Sequence, residues 1–219
     1  GVGIKKVATI HDKKSYGQGL VTEFAKAFAA GGGTVVAAET INPEDDSFAA
    51  VISKVKGAGP EAVYYGGEYP QAGPLSQQMK SQGLSVPLMG GDGICSTELV
   101  KLAGDAVTDN QVYCAEAGGV EGKQKAGMEA FRAKFKAKFG TEVQVYAPYV
   151  YDGVKLMVAA MEKAGSSDPA KYLPTLAATK DYHGVTGDIT FDNKGDILNG
   201  ALTLKTIRGG KLVELAVIR

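Results

Sequence analysis

The stretch KVATIHDKKSYGQGLVTEFAKAFAAGGGTVVAA, residues 6–38, decides the fold class of this chain. Residues 6–10 form a short, largely apolar run, which predicts a buried strand, and residues 15–30 repeat apolar side chains at the spacing of one helix face. Gly31 to Gly33 end that helix, and a second strand is predicted over residues 34–38. A strand, a helix and another strand in this order are typical of a parallel sheet with helices on its faces.

The same alternation continues along the chain as far as Ala115. Further strands are predicted at 62–65, 86–89 and 111–114. One helix is predicted with Asp46 or Ser47 as its cap, a second follows Pro70, and a third spans 97–103. Beyond Ala115 the pattern predicts helices at 122–139, 146–164 and from Asp168, then strands at 188–191, 200–207 and 212–218, with a hairpin turn at 208–211. The residues expected to face inward from the first two of these helices are Met128, Phe131, Phe135, Val150, Val154, Leu156, Met157 and Met161. The pattern as a whole predicts an α/β fold with helices on both faces of its sheet.

Composition excludes several classes of function. The chain has 219 residues, of which 44% are hydrophobic and 22% charged, so a packed core is expected. A formal net charge of zero argues against nucleic-acid binding, because phosphates require a basic surface. No apolar run reaches the roughly 18 residues of a membrane span. No export signal precedes Gly1, and we expect any such signal to have been removed.

The two cysteines, Cys95 and Cys114, allow two interpretations. They could be small buried hydrophobic residues, or they could form one disulfide, which would indicate an oxidising compartment. Cys95 follows the fourth predicted strand and Cys114 ends the fifth. Because these strands are expected to be neighbours, we predict that the two cysteines are bonded.

Motifs typical of enzymes and metal sites are missing from the sequence. The glycine-rich turns at 17–19 and 90–93 do not complete a nucleotide-binding motif, and no nucleophile elbow occurs. His11 and His183 lack the spacing of metal ligands relative to the cysteines. Residues 192–196 resemble a calcium loop only faintly, and a turn is the better interpretation. We therefore predict no catalytic residues, no metal and no cofactor.

Polar and aromatic residues follow three of the predicted strands. Tyr16 comes after the first strand, Glu68 after the third and Asp92 after the fourth. In open α/β sheets, ligands bind in the crevice at the carboxyl ends of the strands, so these residues are candidates for a binding site. Each also has a simpler interpretation: helix-start packing for Tyr16, an exposed loop charge for Glu68, and a helix cap or turn for Asp92.

Several stretches in this order resemble the leucine/isoleucine/valine-binding proteins of the periplasm. They are residues 10–12, 16–19, 63–67, 89–93, 102–106, 146–147, 151–154, 187–192 and 194–196. The resemblance implies the type I periplasmic binding fold, in which two Rossmann-like α/β lobes are joined by three crossings and close on a small ligand. It assigns residues 1–115 to the second lobe, 116–200 to the returning part of the first lobe, and 201–219 to strands that cross back. The N-terminal part of the first lobe would then be absent.

The resemblance also implies a function and a set of ligand-binding residues. The chain would be the solute-binding component of a bacterial ABC importer, located in the periplasm and not an enzyme, with an ABC permease as its partner. Asp92 would accept hydrogen bonds from the ammonium group of an amino acid or a similar zwitterion, and Tyr16 and Tyr146 would line the cleft. Glu68 departs from the family, which has an aromatic residue there, and a carboxylate suits a polar or cationic group better than an aliphatic one.

The absent N-terminal part, or a complementary chain, would supply the groups that bind the ligand's carboxylate. Alternatives are a ligand-sensing receptor domain of the same fold, one fragment of a dissected or engineered binding protein, and an α/β enzyme.

Overall fold

The structure, a computed structural model, describes residues 3–121, 123–144 and 146–218. The strands are β1 (Lys6–His11), β2 (Thr34–Thr40), β3 (Ala62–Gly66), β4 (Leu88–Gly90), β5 (Val112–Ala117), β6 (Tyr182–Gly184), β7 (Gly187–Ile189), β8 (Leu202–Arg208) and β9 (Lys211–Ile218). The helices are α1 (Ser15–Ala30), α2 (Ala49–Gly57), α3 (Tyr69–Ser81), α4 (Thr97–Ala103), α5 (Lys123–Phe139), α6 (Ala147–Ala164) and α7 (Pro169–Ala177). Gly122, predicted to begin a helix, lies outside the described residues.

The chain divides into two compact units. The first comprises the residues up to Glu116 together with Thr203–Ile218, and the second is Ala117–Leu202. The assignment of residues 1–115, 116–200 and 201–219 to lobes of the family fold stays a prediction.

The first unit is built on a seven-stranded sheet with the order β2-β1-β3-β4-β5-β8-β9. Strands β1 to β5 pair in parallel, as the alternation of strands and helices predicted. Strand residues such as Ile10 and Val63 are fully buried in the hydrophobic core of this unit. Helices α2, α3 and α4 also contribute buried residues to the core, among them Leu75 of α3. Parallel sheets bury both faces in this way, which explains why their strands are apolar runs and do not alternate.

Helix α1 shows how the stretch at residues 6–38 folds. The helix spans Ser15–Ala30, as predicted, and Phe24 stacks on the ring of Tyr64 in β3 with ring centroids 3.8 Å apart. Gly32 follows the helix with a φ of +79°, a left-handed conformation that glycine adopts without steric cost. The glycines therefore reverse the chain so that β2 pairs in parallel with β1.

The start of α2 differs from the prediction. Neither Asp46 nor Ser47 occupies the cap position, which is taken by Phe48 directly before the first residue, Ala49. Phe48 is buried, and its backbone N–H donates to Oε1 of Gln78 at 2.7 Å. Burial of this aromatic ring in the core therefore decides where the helix begins, against the local preference for a polar cap.

The second unit packs three helices with a short hairpin of β6 and β7. Asp168 caps α7 as predicted, since its Oδ1 accepts from the backbone N–H of Ala170 at 3.0 Å. Asp152 of α6 is buried and accepts from the N–H of Val185 at 3.0 Å and from the N–H and hydroxyl of Thr186 at 2.8 and 2.6 Å. This carboxylate fixes the β6–β7 turn against α6. The sequence predicted only a strand at 188–191 and missed its partner, β6.

The buried side of α6 also differs from the prediction. Leu156 is buried as predicted, but Val150 and Val154 are 62% and 50% exposed. The helix is apolar over more than one face, and only the face toward its neighbours in the unit is covered. On α5, Met128 is buried, while Phe131 and Phe135 are half-buried. None of the described helices combines the length and apolar character needed to cross a membrane.

Candidate functional site

The carboxyl ends of β1, β3 and β4 meet at one edge of the sheet. His11 of β1 pairs with Gly66 of β3, and Tyr65 of β3 pairs with Gly90 of β4. The segments that follow these three strands are therefore adjacent. They carry Asp12 to Tyr16, Gly67 with Glu68, and Gly91 with Asp92, and we call these residues the rim.

Within the rim, Tyr16 and Asp92 are joined directly. The Tyr16 hydroxyl donates to Oδ1 of Asp92 at 2.6 Å and accepts from the backbone N–H of Gly93 at 3.0 Å. Burial raises the pKa of Tyr16 well above its ordinary value, and the hydrogen bond to Asp92 raises it further. The hydroxyl therefore keeps its proton at neutral pH and orients one oxygen of the carboxylate.

Two glycines allow this close approach. A Cβ at Gly91 would lie 2.8 Å from the Tyr16 hydroxyl, and a Cβ at Gly93 would lie 2.6 Å from the carbonyl oxygen of Gly67. Real Cβ atoms do not tolerate such distances, so the loop that carries Asp92 fits against α1 and β3 only because glycine stands on both sides of it. The tight fit holds Asp92 at the end of β4.

Asp92 is not the cap of the following helix, which was one interpretation of the sequence. The cap of α4 is Ser96, whose Oγ accepts from the backbone N–H of Glu98 at 3.1 Å. Asp92 opens a short 3-10 turn that ends at Ile94, and its carbonyl accepts from the N–H of Cys95 at 2.9 Å. The backbone of Asp92 therefore forms the turn, and its side chain bonds to Tyr16 in the rim.

Glu68 stands directly before α3, and its side chain is half-buried. The carboxylate does not cap the helix. Burial raises the pKa of Glu68 above its usual range, and the negative charges of Asp92 and Asp12 raise it further. Lys14 lowers the same pKa by a smaller effect. Glu68 is therefore not an isolated loop charge, because it lies close enough to the carboxylates of Asp92 and Asp12 for their charges to shift its pKa.

The sequence did not single out Asp12 of the rim or Tyr65 of β3. Asp12 is 1% exposed; its Oδ1 accepts from the N–H of Lys14 at 3.0 Å, but its Oδ2 has no partner among the described residues. Tyr65 is 0% exposed, and its hydroxyl likewise has no partner in the described part of the chain. The position of Asp12 directly after a strand was the signal that could have identified it.

Tyr146, the remaining predicted ligand-binding residue, lies in the second unit. It stands directly before the first residue of α6 and is 53% exposed. The structure thus brings Tyr16, Glu68 and Asp92 together in the first unit, and the role of Tyr146 stays a prediction.

The predicted bond between Cys95 and Cys114 is confirmed. The two residues form a disulfide with their Cα atoms 5.5 Å apart, and this excludes the interpretation as free buried thiols. Cys95 follows the 3-10 turn of Asp92, and Cys114 lies in β5, which pairs with β4. The disulfide therefore anchors the loop of Asp92 to the neighbouring strand.

The described residues contain no metal-binding cluster. Among residues 3–121, 123–144 and 146–218, no three His, Cys, Asp or Glu side chains are placed to hold a metal ion. In the segment that faintly resembled a calcium loop, Oδ1 of Asp192 accepts from the backbone N–H groups of Lys194 at 2.8 Å and Asp196 at 3.0 Å. This aspartate closes a turn, as the sequence indicated.

Comparison with known sequences identifies similar proteins along most of the chain. The sequence profile of the periplasmic binding protein family matches residues 1–211. The leucine-, isoleucine-, valine-, threonine- and alanine-binding protein of Pseudomonas aeruginosa is 36% identical over 200 residues, 91% of this chain and 52% of that protein. Leu/Ile/Val-binding protein homolog 1 of Brucella abortus is 39% identical over 191 residues, 87% of this chain and 50% of that protein. The chain thus spans about half the length of the curated relatives it matches.

Solved structures give the same result. The leucine-binding protein LivK of Thermotoga maritima matches with a TM-score of 0.87 at 27% identity. The match covers 99% of this chain and 61% of LivK. The branched-chain amino acid substrate-binding protein LivJ of Streptococcus pneumoniae, in complex with isoleucine, matches with a TM-score of 0.83 at 28% identity. The match covers 98% of this chain and 60% of LivJ. A type 1 periplasmic binding protein of Bordetella pertussis shares the fold, with a TM-score of 0.81 at 22% identity, 97% of this chain and 61% of that one. These matches confirm the predicted α/β fold class.

Proposed function

Because the chain belongs to the periplasmic binding protein family, we propose that it is part of the solute-binding component of an ABC importer and that it binds an amino acid or a similar zwitterion. Membership of this family bears out the resemblance found in the sequence. The observation that carries the proposal is the bond between Tyr16 and Asp92 at the carboxyl ends of the strands. In this proposal the chain binds its solute without chemical turnover and is not an enzyme.

The geometry of Asp92 suits an ammonium group. Tyr16 and the glycines fix the carboxylate before a ligand arrives, so binding does not have to order it. A charge-assisted hydrogen bond is about twice as strong as a neutral one, and the exclusion of water on closure strengthens it further. A zwitterion would place its ammonium group at Asp92, while the Tyr16 hydroxyl continues to donate its hydrogen bond to Oδ1 of the same carboxylate.

The ligand's carboxylate would be bound by the part of the protein that the relatives have beyond the length of this chain. We propose that the full-length protein has the two lobes of the family fold, that it closes on the ligand by a hinge motion, and that Tyr146 contributes an aromatic wall. The proposed location is the periplasm, where an ABC permease would accept the loaded protein. Membership of the periplasmic binding protein family and the disulfide, which is typical of an oxidising compartment, support this location.

An exposed apolar stripe on α6 supports the proposal that a further part of the protein covers the second unit. Val150, Val154 and Val158 are 62%, 50% and 45% exposed and follow one another at intervals of four residues, so they form a single stripe along the helix. Contiguous exposed apolar surface of this kind is typical of an interface. We propose that the N-terminal part of the first lobe, or a complementary chain, packs on this stripe.

The test is titration calorimetry of the full-length protein with a panel of amino acids, repeated for Asp92→Asn. We expect Asp92→Asn to weaken binding at least tenfold, because the amide removes the charge from the ammonium site and leaves the turn intact. Asp46→Asn is the matched control, since Asp46 is an exposed aspartate of the same unit outside the rim. Equal affinities of Asp92→Asn and the unmodified protein would contradict the proposal.

A further inference from the structure

The acidic side chains of the rim outnumber its basic side chains by one, because Asp12, Glu68 and Asp92 stand against Lys13 and Lys14. Asp92, Glu68 and Asp12 follow three neighbouring strands, and the charges of Asp92 and Asp12 both act on Glu68. Among the described residues, no ion pair involves Asp12 or Glu68. If the ammonium group of a zwitterion binds Asp92, Glu68 is left without an ion-pair partner among the described residues, and only the more distant charge of Lys14 opposes its own.

Two buried polar atoms beside Glu68 also lack partners in the described part of the chain. They are Oδ2 of Asp12 and the hydroxyl of Tyr65, in residues that are 1% and 0% exposed. Both flank the segment that leads into Glu68: the Asp12 N–H donates to the carbonyl of Gly66 at 3.1 Å, and a Cβ at Gly67 would lie 2.3 Å from the Tyr65 hydroxyl. Unpartnered buried polar atoms are rare in folded proteins, and here they mark a place where hydrogen-bonding groups are expected to bind.

An organic cation is a better candidate for this place than a metal ion. No three His, Cys, Asp or Glu side chains of the described residues are placed to hold one metal ion. An extended molecule with two separated positive groups can reach Asp92 with one group and Glu68 with the other. Lys14, the residue that partly offsets the charge on Glu68, does not form an ion pair with it.

We infer that the ligand is an amino acid with a cationic side chain, whose α-ammonium group binds Asp92 and whose side-chain ammonium group binds Glu68. This inference rests on the proposed function and names the class of its ligand. The buried carboxylate of Asp12 stabilises the second cation by its charge, and the Tyr65 hydroxyl and Oδ2 of Asp12 are available to an ordered water between them and the cation. An aliphatic side chain would instead desolvate Glu68 and leave its carboxylate unpaired, which is unfavourable.

The inference can be tested with two amino acids that differ by one group. Lysine and norleucine have side chains of the same carbon length, but only lysine ends in an ammonium group. We expect the full-length protein to bind lysine at least tenfold more tightly than norleucine in titration calorimetry. In Glu68→Gln, which keeps the size of the side chain, the ratio of the two affinities should fall close to one. Glu44→Gln, an exposed glutamate of the same unit, should keep the ratio of the unmodified protein.

The outcomes separate this inference from the proposed function. Norleucine or leucine binding as tightly as lysine, with an affinity that Asp92→Asn still reduces, would overturn the inference alone. Glutamine binding more tightly than lysine would also overturn it, because a neutral amide would then be the preferred partner of Glu68. Binding of none of these amino acids by the unmodified protein would contradict the proposed function and the inference with it. Thermal unfolding of Glu68→Gln checks that the variant is folded.

Discussion

Tyr16 and Asp92 stand 76 positions apart in the sequence and are joined by a single hydrogen bond. The sequence identified both because each follows a strand, and the ends of neighbouring parallel strands meet at one edge. The bond itself could not be predicted, since it depends on how closely Gly91 and Gly93 allow the loops to approach. Asp12 was missed for a related reason: its burial results from packing, which a polar residue type does not reveal.

Glu68 should make ligand binding depend on pH in a characteristic direction. Its pKa lies above the usual range because of burial and the charges of Asp92 and Asp12, and Lys14 opposes this only weakly. A cation binds the ionised form, so affinity is full above the pKa of the free protein and falls as the pH drops through it. We expect lysine affinity to decrease up to about tenfold per pH unit below that point, as a single linked proton requires.

The ratio of lysine to norleucine affinity isolates this effect. The α-ammonium site at Asp92 is common to both ligands, so its own titration cancels in the ratio. Calorimetry of the full-length protein between pH 4 and 8 should therefore show a ratio that falls toward low pH, whereas Glu68→Gln should give a flat ratio. A ratio that does not change with pH in the unmodified protein would mean that the side-chain ammonium group does not meet Glu68.

Among the elements, those decided by local signals were predicted well and those decided by packing were not. Helices α1 and α4 span the residues that the sequence predicted, Ser15–Ala30 and Thr97–Ala103. The predicted start of α2 was wrong because Phe48, at the cap position, is buried in the core. Strand β6 has three residues, and it exists only through its pairing with β7 and the bonds from Asp152 to the turn between them. A side chain more than 30 positions earlier cannot be connected with such a turn from periodicity alone.

The disulfide connects two elements, and its loss should affect stability first. Cys95 and Cys114 are 19 positions apart, and closing a loop of that length stabilises the folded state by about 3 kcal/mol in the chain-entropy model. The double variant Cys95→Ser/Cys114→Ser should lose a free energy of unfolding of that order in urea denaturation of the full-length protein. Reductant should lower the stability of the unmodified protein to a similar level and leave the variant unchanged. Equal midpoints for the oxidised protein and the variant would contradict a stabilising role.

At the scale of the whole molecule, the two units differ in how completely they bury their apolar surface. The sheet of the first unit has helices packed against a continuous core, as expected for a doubly wound α/β fold. The second unit leaves Val150, Val154 and Val158 of α6 exposed. The sequence predicted an apolar side on this helix but could not indicate which residues would cover it, because periodicity identifies a face and not its partner. The relatives, which are about twice as long, offer a source for that partner.

Solvent labelling of α6 tests whether the rest of the protein covers this stripe. In the full-length protein, Val154→Cys should react slowly with a maleimide, because the proposed N-terminal part of the first lobe would pack over it. Residues 1–219 alone should react fast at the same position, since Val154 is 50% exposed in this chain. Lys163→Cys, in the exposed last turn of the same helix, should react fast in both proteins and controls for the reactivity of the reagent. Fast labelling of Val154→Cys in the full-length protein would mean that the stripe stays open to solvent, and a different surface would then have to join this chain to the remainder of the fold.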